Sequence, residues 1–331
     1  AYKLANHIIN EKIEFERNPL YWNDKETVIN SATFLAIENP STDVARYRAG
    51  DLDMTNYALP PEQFAKLQKE LPGEVFTTRT LATYSYELNN KKAPFDNVNV
   101  RKALNLSLDR NVITDKVLGQ GQTPTYVFTP TYIEEGHLIQ QPAYSKEPMA
   151  QRNEEAIKLL EEAGYSKANP LKFTILYNTN ENHKKVAIAA ASMWKANTKG
   201  LIDVKLENQE WKTYIDSRRA GRYDAARAGW NADYNQATTF GNYFLSNSSN
   251  NTAKYANPEY DKAIAESYVA TDAEGRAKAY AKAEEILAKD FGIVPIFNYV
   301  NPRLVKPYVK GYSGKDPQDH IYLRNLYIIK H

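Results

Sequence analysis

The eleven residues Ala225-Ala226-Arg227-Ala228-Gly229-Trp230-Asn231-Ala232-Asp233-Tyr234-Asn235 begin as a buried strand and turn polar at the C-terminal end. Ligands of α/β sheets collect at such strand ends. Arg227 lies inside the apolar run, where a guanidinium must find a partner or a solvated cleft. Asp233 lies just past the run and suits two roles. It is placed to N-cap the segment after it, or to anchor a cationic ligand group.

Other routes to chemistry close quickly. The five histidines, His7, His137, His183, His320 and His331, have no partners at metal-ligand spacing. The absence of cysteine excludes thiolate ligands, thiol nucleophiles and disulfides. No G-x-S-x-G, Walker A, G-x-G-x-x-G or H-E-x-x-H motif occurs. Gly119-Gln120-Gly121 lacks the Lys and Ser/Thr of a phosphate loop and reads as a helix end. Glu154, Glu155, Glu161 and Glu162 lie opposite the apolar face of their helix, as a solvated surface does. No catalytic residue, metal or cofactor is expected.

Lys and Arg number 42 against 40 Asp and Glu, a balance that does not suit nucleic-acid binding. Mean hydropathy is −0.62, and no apolar run has the ~18 residues of a membrane-spanning helix. Tyrosine is unusually common, 24 against 11 Phe and 4 Trp. That excess fits a wet recognition surface or simply a tyrosine-rich core.

The elements that must position these residues follow from periodicity and caps. Residues 1–39 read as strands, with a turn at Glu11-Lys12 and a β-rich run from Val28 to Ile37. Ser41 to Gly50 reads as a helix, Pro60-Pro61 starts another through Lys69, and Asp51 to Asn56 reads as a short strand. From about residue 98 helices alternate with strands. Helices are expected around Val100 to Leu108, after an Asp109 cap as far as Gly119, and over Arg152–Ala163, Lys184–Lys195, Trp211–Arg219, Pro258–Val269 and Ala273–Lys289. Strands are expected at Leu171–Tyr177, Val204–Leu206, Tyr223–Trp230 and Phe291–Tyr299. This alternation predicts an α/β layer structure. The tail from Leu304 to Ile329 returns to strand-like segments. Two crossings between a β-rich part and an α/β part suggest two lobes with a ligand between them.

The same stretch, with Glu210-Trp211-Lys212-Thr213 and Ser217-Arg218, resembles the periplasmic oligopeptide-binding receptors of bacterial ABC peptide permeases. Asn97 to Arg110 (NVNVRKALNLSLDR), Leu176 to Thr179, Leu245 to Thr252, Ile293-Val294-Pro295, Arg303 to Pro307 and Tyr327 to His331 carry the resemblance along the whole chain. It implies the two-lobed type II periplasmic-binding-protein architecture, divided as 1–84 (part of lobe I), 85–299 (an α/β peptide-binding lobe) and 300–331 (return strands). It also implies a periplasmic monomer that captures short peptides for an inner-membrane ABC permease, without catalysis. A murein-peptide receptor of the same family is the nearest alternative. A secreted peptidase or glycosidase and a saccharide receptor are more distant ones.

Position by position, the resemblance pairs Asp233 with the peptide's α-ammonium. It sets Arg218, Arg227 and His183 against peptide carboxylates of different reach. Trp211 matches a side-chain pocket wall, with plain core as the alternative, and His183 alternatively only opens its helix. Gly229, Asn231 and Tyr299 match main-chain contacts, and Asn178 a cleft position. Relatives often carry a disulfide at the places of Ala82 and Asn231, which is lost here. Asn56-Tyr57-Ala58 departs from the family's pattern on one side of the peptide. The chain opens on Ala1 with no leader, and the resemblance implies a long preceding region holding a small extra domain and the first strands of lobe I. Residues 1–80 are therefore expected to expose sheet edges and apolar surface.

Overall fold

The computed structural model describes residues 1–56 and 58–330; Tyr57 and His331 lie outside the described residues. The chain divides into two units, residues 1–80 with 300–331 and residues 81–299.

In the first unit β1 (Tyr2–Ile8), β2 (Lys12–Arg17) and β3 (Ser31–Leu35) form an antiparallel sheet in that order. The first turn closes with Glu11 N–H on the Ile8 carbonyl. Phe15 and Phe34 pack edge to face at 5.8 Å. The expected apolar exposure is present, with Leu4, Ile9 and Phe34 at 60, 77 and 51 % exposed. Helix α1 (Pro40–Ala49) starts where the Asn39 side chain accepts the Ser41 N–H, and ends on Gly50 in the left-handed region. Helix α2 (Pro61–Glu70) turns Phe64 and Leu67 inward, onto Val44, Tyr47, Leu59 and Leu304.

Asp51 to Asn56 is not a strand. It makes a single bridge, Met54 to Val305. Thr55 N–H donates to the Leu304 carbonyl, and the Thr55 hydroxyl then accepts the Leu304 N–H, so a side chain takes the place of the next ladder bond.

The second unit is built on a six-stranded sheet, two of whose strands, Val75–Leu88 before Leu81 and Ile293–Leu304 after Tyr299, continue into the first unit. Its elements are β4 (Val75–Leu88), α3 (Val98–Leu106), β5 (Thr123–Pro124), α4 (Met149–Glu162), β6 (Leu171–Asn178), α5 (Glu181–Asn197), β7 (Ile202–Gln209), α6 (Trp211–Arg219), β8 (Ala225–Asn231), α7 (Thr238–Gly241), α8 (Pro258–Val269), α9 (Ala273–Lys289) and β9 (Ile293–Leu304). A further wide-turned helix spans Val112–Leu118, and Asp109 accepts the Asn111 and Val112 N–H groups at its start. The strand order is β5-β9-β4-β8-β6-β7, with β6 parallel to both β7 and β8 and β4 antiparallel to β8.

Both faces of this sheet are covered, which gives the α/β class expected. One face carries Tyr84, Tyr86, Phe173, Ile175 and Ala225 against Val100, Leu104, Ala187 and Trp194. Trp194 is fully buried, and its Nε1 donates to the Leu104 carbonyl at 2.9 Å, so its one polar atom is satisfied. The other face carries Leu81 against Phe240, Tyr260, Ile264 and Leu287, and Leu176 and Ala226 against Tyr214 and Tyr223.

The tail pairs only two-residue strands, β10 (Val309–Lys310) and β11 (Tyr327–Ile328). The rest is irregular because Pro307, Gly311, Gly314 and Pro317 interrupt any ladder. A buried ion pair, Arg303 with Asp319, ties this loop down.

Candidate functional site

All nine candidate residues fall in the second unit. Most lie near the C-terminal ends of the mutually parallel strands β6, β7 and β8, where helices begin. Asn178 ends β6, and Asn180 then caps α5 by accepting the Asn182 and His183 N–H groups. His183 thus sits in the first helical turn. Trp211 opens α6 just after β7 ends. Asn231 ends β8 and Asp233 follows it.

A polar cluster forms on one face of β8. Period-two alternation puts Arg227, Gly229 and Asn231 on that face, opposite Tyr86, Tyr84 and Ala82 of β4. The half-buried Arg227 donates from Nη2 to the Tyr299 hydroxyl at 2.5 Å and from Nη1 to Asn178 Oδ1 at 3.5 Å. Its guanidinium carbon lies 5.2 Å from the Tyr84 ring centroid, a cation–π distance. Nε is buried with no hydrogen-bond partner among the described residues. The His183 ring lies 5.5 Å from the same Tyr84 ring. Burial, then the charge of Arg227, holds the His183 imidazole well below its ordinary value. The structure therefore brings Arg227, His183, Asn178, Gly229 and Tyr299 together.

Gly229 has a steric role in this cluster. A Cβ there would lie 2.9 Å from Arg227 Nη2 and 3.0 Å from the Tyr299 hydroxyl. The missing side chain is the space the guanidinium occupies.

Asp233 is exposed, beyond the strand end. It does not cap the following helix. The N-cap of α7 is Ala237, which has no side chain to cap with. Instead Asp233 N–H donates to the Thr239 hydroxyl at 3.2 Å, which in turn reaches Asp233 Oδ2 at 3.5 Å. Trp211 is 54 % exposed, so plain core is excluded for it. It stacks on Tyr214 at 5.8 Å, and the Tyr214 hydroxyl donates to the Arg227 carbonyl.

Arg218 is not part of the cluster. It sits in the last turn of α6, on the opposite face of the sheet. It makes a two-pronged ion pair with Glu87, Nε to Oε2 at 3.1 Å and Nη2 to Oε1 at 2.9 Å. Tyr243 donates to Glu87 Oε1 at 2.6 Å, and the Thr252 hydroxyl donates to Oε2. Glu87 was missed from sequence, because Thr83, Ser85 and the tyrosines around it do not mark Leu81–Leu88 as an apolar run.

Ala82 and Asn231, the positions matched to a lost disulfide, are direct cross-strand partners. The first unit holds a cavity of about 620 Å³ lined by Phe34, Met54, Asn56, Arg303 and Leu326 among others. None of the nine candidates lines it.

Two covered sheet faces, with an Arg/His cluster and a carboxylate at the strand ends, define an α/β lobe with its polar side chains gathered at one end of the sheet. The chain belongs to the bacterial extracellular solute-binding proteins of family 5, whose middle-region model matches residues 1–252. It is 96 % identical over 331 residues to the periplasmic oligopeptide-binding protein OppA of Haemophilus influenzae, covering all of this chain and 61 % of that protein. It is 43 % identical to the periplasmic murein peptide-binding protein MppA of Escherichia coli, again over all of this chain and 61 % of that one. Among solved structures it resembles Haemophilus influenzae OppA in complex with RPPGFSPFR, with TM-score 0.94 and 95 % identity, covering 100 % of this chain and 64 % of that one. The chain thus spans about three fifths of the length of these relatives.

Proposed function

We propose that the chain forms the peptide-reading part of a periplasmic receptor that captures short oligopeptides for an inner-membrane ABC permease, without chemical change. The observation that carries this is the pairing of opposite charges along one strand end. Arg227 supplies a cationic reader, with the neutral His183 imidazole beside it as a hydrogen-bonding group, and Asp233 supplies an anionic one. Arg227 and Asp233 are six positions apart, which at ~3.3 Å per residue is at most about 20 Å. An extended zwitterionic peptide of up to about six residues fits that span. Main-chain contacts at Gly229 and Asn231 would hold the backbone, and bridging water would tolerate varied side chains. Asp233 reads the ammonium, and Arg227 and His183 read the carboxylate.

Identity favours ordinary oligopeptides over murein peptides, 96 % to the Haemophilus OppA against 43 % to MppA. Arg218, held by Glu87, does not discriminate between the two. The test is mass spectrometry of the ligand released from the purified receptor, followed by incubation with a defined tripeptide. Intact peptide bound at one equivalent is expected. Cleaved peptide, or a released ligand that is not a peptide, would overturn the reading.

A further inference from the structure

We propose that Glu135 is a positioning residue for the ligand's ammonium group: with Arg276 it braces the turn that carries Asp233. The proposal rests on the reading of Asp233 given above.

Glu135 lies on the loop between Phe128 and Ile139, is 8 % exposed, and has φ +64°. That left-handed backbone is unfavourable for a residue with a Cβ, and Gly or Asn would sit there more easily. The side-chain contacts of this glutamate are what hold the backbone there.

The carboxylate is divided between two partners. Oε1 accepts from Arg276 Nε at 2.8 Å and Nη2 at 2.6 Å. Oε2 accepts from Gln236 Nε2 at 2.8 Å. Gln236 is the midpoint of the turn from Asp233 to Thr239, and its own Oε1 accepts the Thr238 hydroxyl. The neighbouring residues repeat the link through the main chain. Glu134 N–H donates to Asn235 Oδ1 at 3.2 Å, and Ala237 N–H donates to the Glu134 carbonyl at 3.1 Å. Residues 235, 236 and 237 are thus each tied to residues 134–135.

The near end of the turn is pinned differently. The Thr239 hydroxyl accepts both Asp233 N–H and Trp230 Nε1, each at 3.2 Å. Arg276 lies in the first turn of the 17-residue α9, whose face packs into the core through Ala277, Tyr280 and Ala283. The chain of contacts therefore runs from a rigid helix through Glu135 to a turn whose far half, Ala237 to Thr239, is buried and whose first residues, Asp233 to Asn235, are exposed. An anchoring charge must be held within about 0.5 Å of its working place to deliver its full affinity.

The test compares wild type with Glu135→Gly, Glu135→Gln and Arg276→Gln receptors. Calorimetry gives each protein's affinity for trialanine, N-acetyl-trialanine and trialanine amide. In wild type the free peptide binds more tightly than the acetylated one. Glu135→Gly relaxes the backbone but removes the brace, and Arg276→Gln removes the helix anchor at a side chain that is 30 % exposed. Both should reduce the free-to-acetyl ratio about tenfold, within the range found for couplings of this kind. Glu135→Gln, which keeps an acceptor for Gln236, should reduce it less. The free-to-amide ratio should not change. If Glu135→Gly does not fold, Arg276→Gln carries the test. Wild-type discrimination retained in both Glu135→Gly and Arg276→Gln would overturn the proposal. So would equal loss at both peptide ends, which marks a merely structural role. A wild type indifferent to acetylation would overturn the Asp233 reading itself, and the proposal with it.

Discussion

Breaking the Glu87–Arg218 pair should destabilise the second unit strongly, and removing both partners should restore most of the loss. The Arg218 side chain is 12 % exposed and Glu87 is fully enclosed. Glu87→Ala leaves a guanidinium out of water with no counter-charge, a cost of about 3–5 kcal/mol. At about 2–4 °C per kcal/mol for a unit of this size, the melting temperature should fall by roughly 6–20 °C. Arg218→Met should cost a similar amount for the opposite charge. In Glu87→Met/Arg218→Met both desolvation penalties disappear with the Coulomb gain. The remaining loss should be about 1–2 kcal/mol, from the Tyr243 and Thr252 hydroxyls left without their acceptor. Urea unfolding of the four proteins gives the coupling energy directly. The reasoning is refuted if either single substitution costs less than about 1 kcal/mol, or if the double loss equals the sum of the singles. The folded double variant should also bind peptide as wild type does, since Arg218 is committed to Glu87.

Three further outcomes are expected. Ala82→Cys/Asn231→Cys should form a cross-strand disulfide, raise stability by up to about 4–5 kcal/mol, and lose that gain in dithiothreitol; a bridge that will not form would contradict the register. Because His183 titrates well below its usual 6.5, the native state resists protonating it, so its contribution is fully present above pH 6.5 and is lost as pH falls below that value. Stability measured across that window in wild type and His183→Gln should show a shallower acid slope in the variant, and identical slopes would contradict the assignment. Gly229→Ala should fold, since only side-chain ends must yield, yet push Arg227 off Tyr299 and weaken binding of peptides with a free carboxylate about tenfold while sparing peptide amides.

Much of the second unit was legible because its helices carry clear signals. Pro258 and Asp272 open α8 and α9, and Gly119 and Gly164 close helices at positive φ. The 14-residue strand β4 was not legible. Its stretch from Leu81 is buried on both faces and rich in Thr and Tyr, so no alternation marks it. Asp51 to Asn56 misled in the other direction, because Thr55 uses its side chain where a strand would use its backbone. At the site, Arg227 and Asp233 stood out as charges at the end of an apolar run. The commitment of Arg218 did not, because Glu87 is 131 residues away in sequence. The brace at Glu135 was equally hidden, since Arg276 follows it by 141 residues and the positive φ leaves no trace in a glutamate.

In the proposed function Asp233 reads one charged end of a peptide, and Arg227 with His183 reads the other. The most direct measurement is calorimetric titration of wild type and Asp233→Ala receptor with a free tripeptide and its N-acetyl counterpart. Acetylation should cost wild type about 1.5–3 kcal/mol, Asp233→Ala should cost the free peptide a similar amount, and the two losses should not add. Equal affinity of wild type for the free and acetylated peptides would contradict this reading.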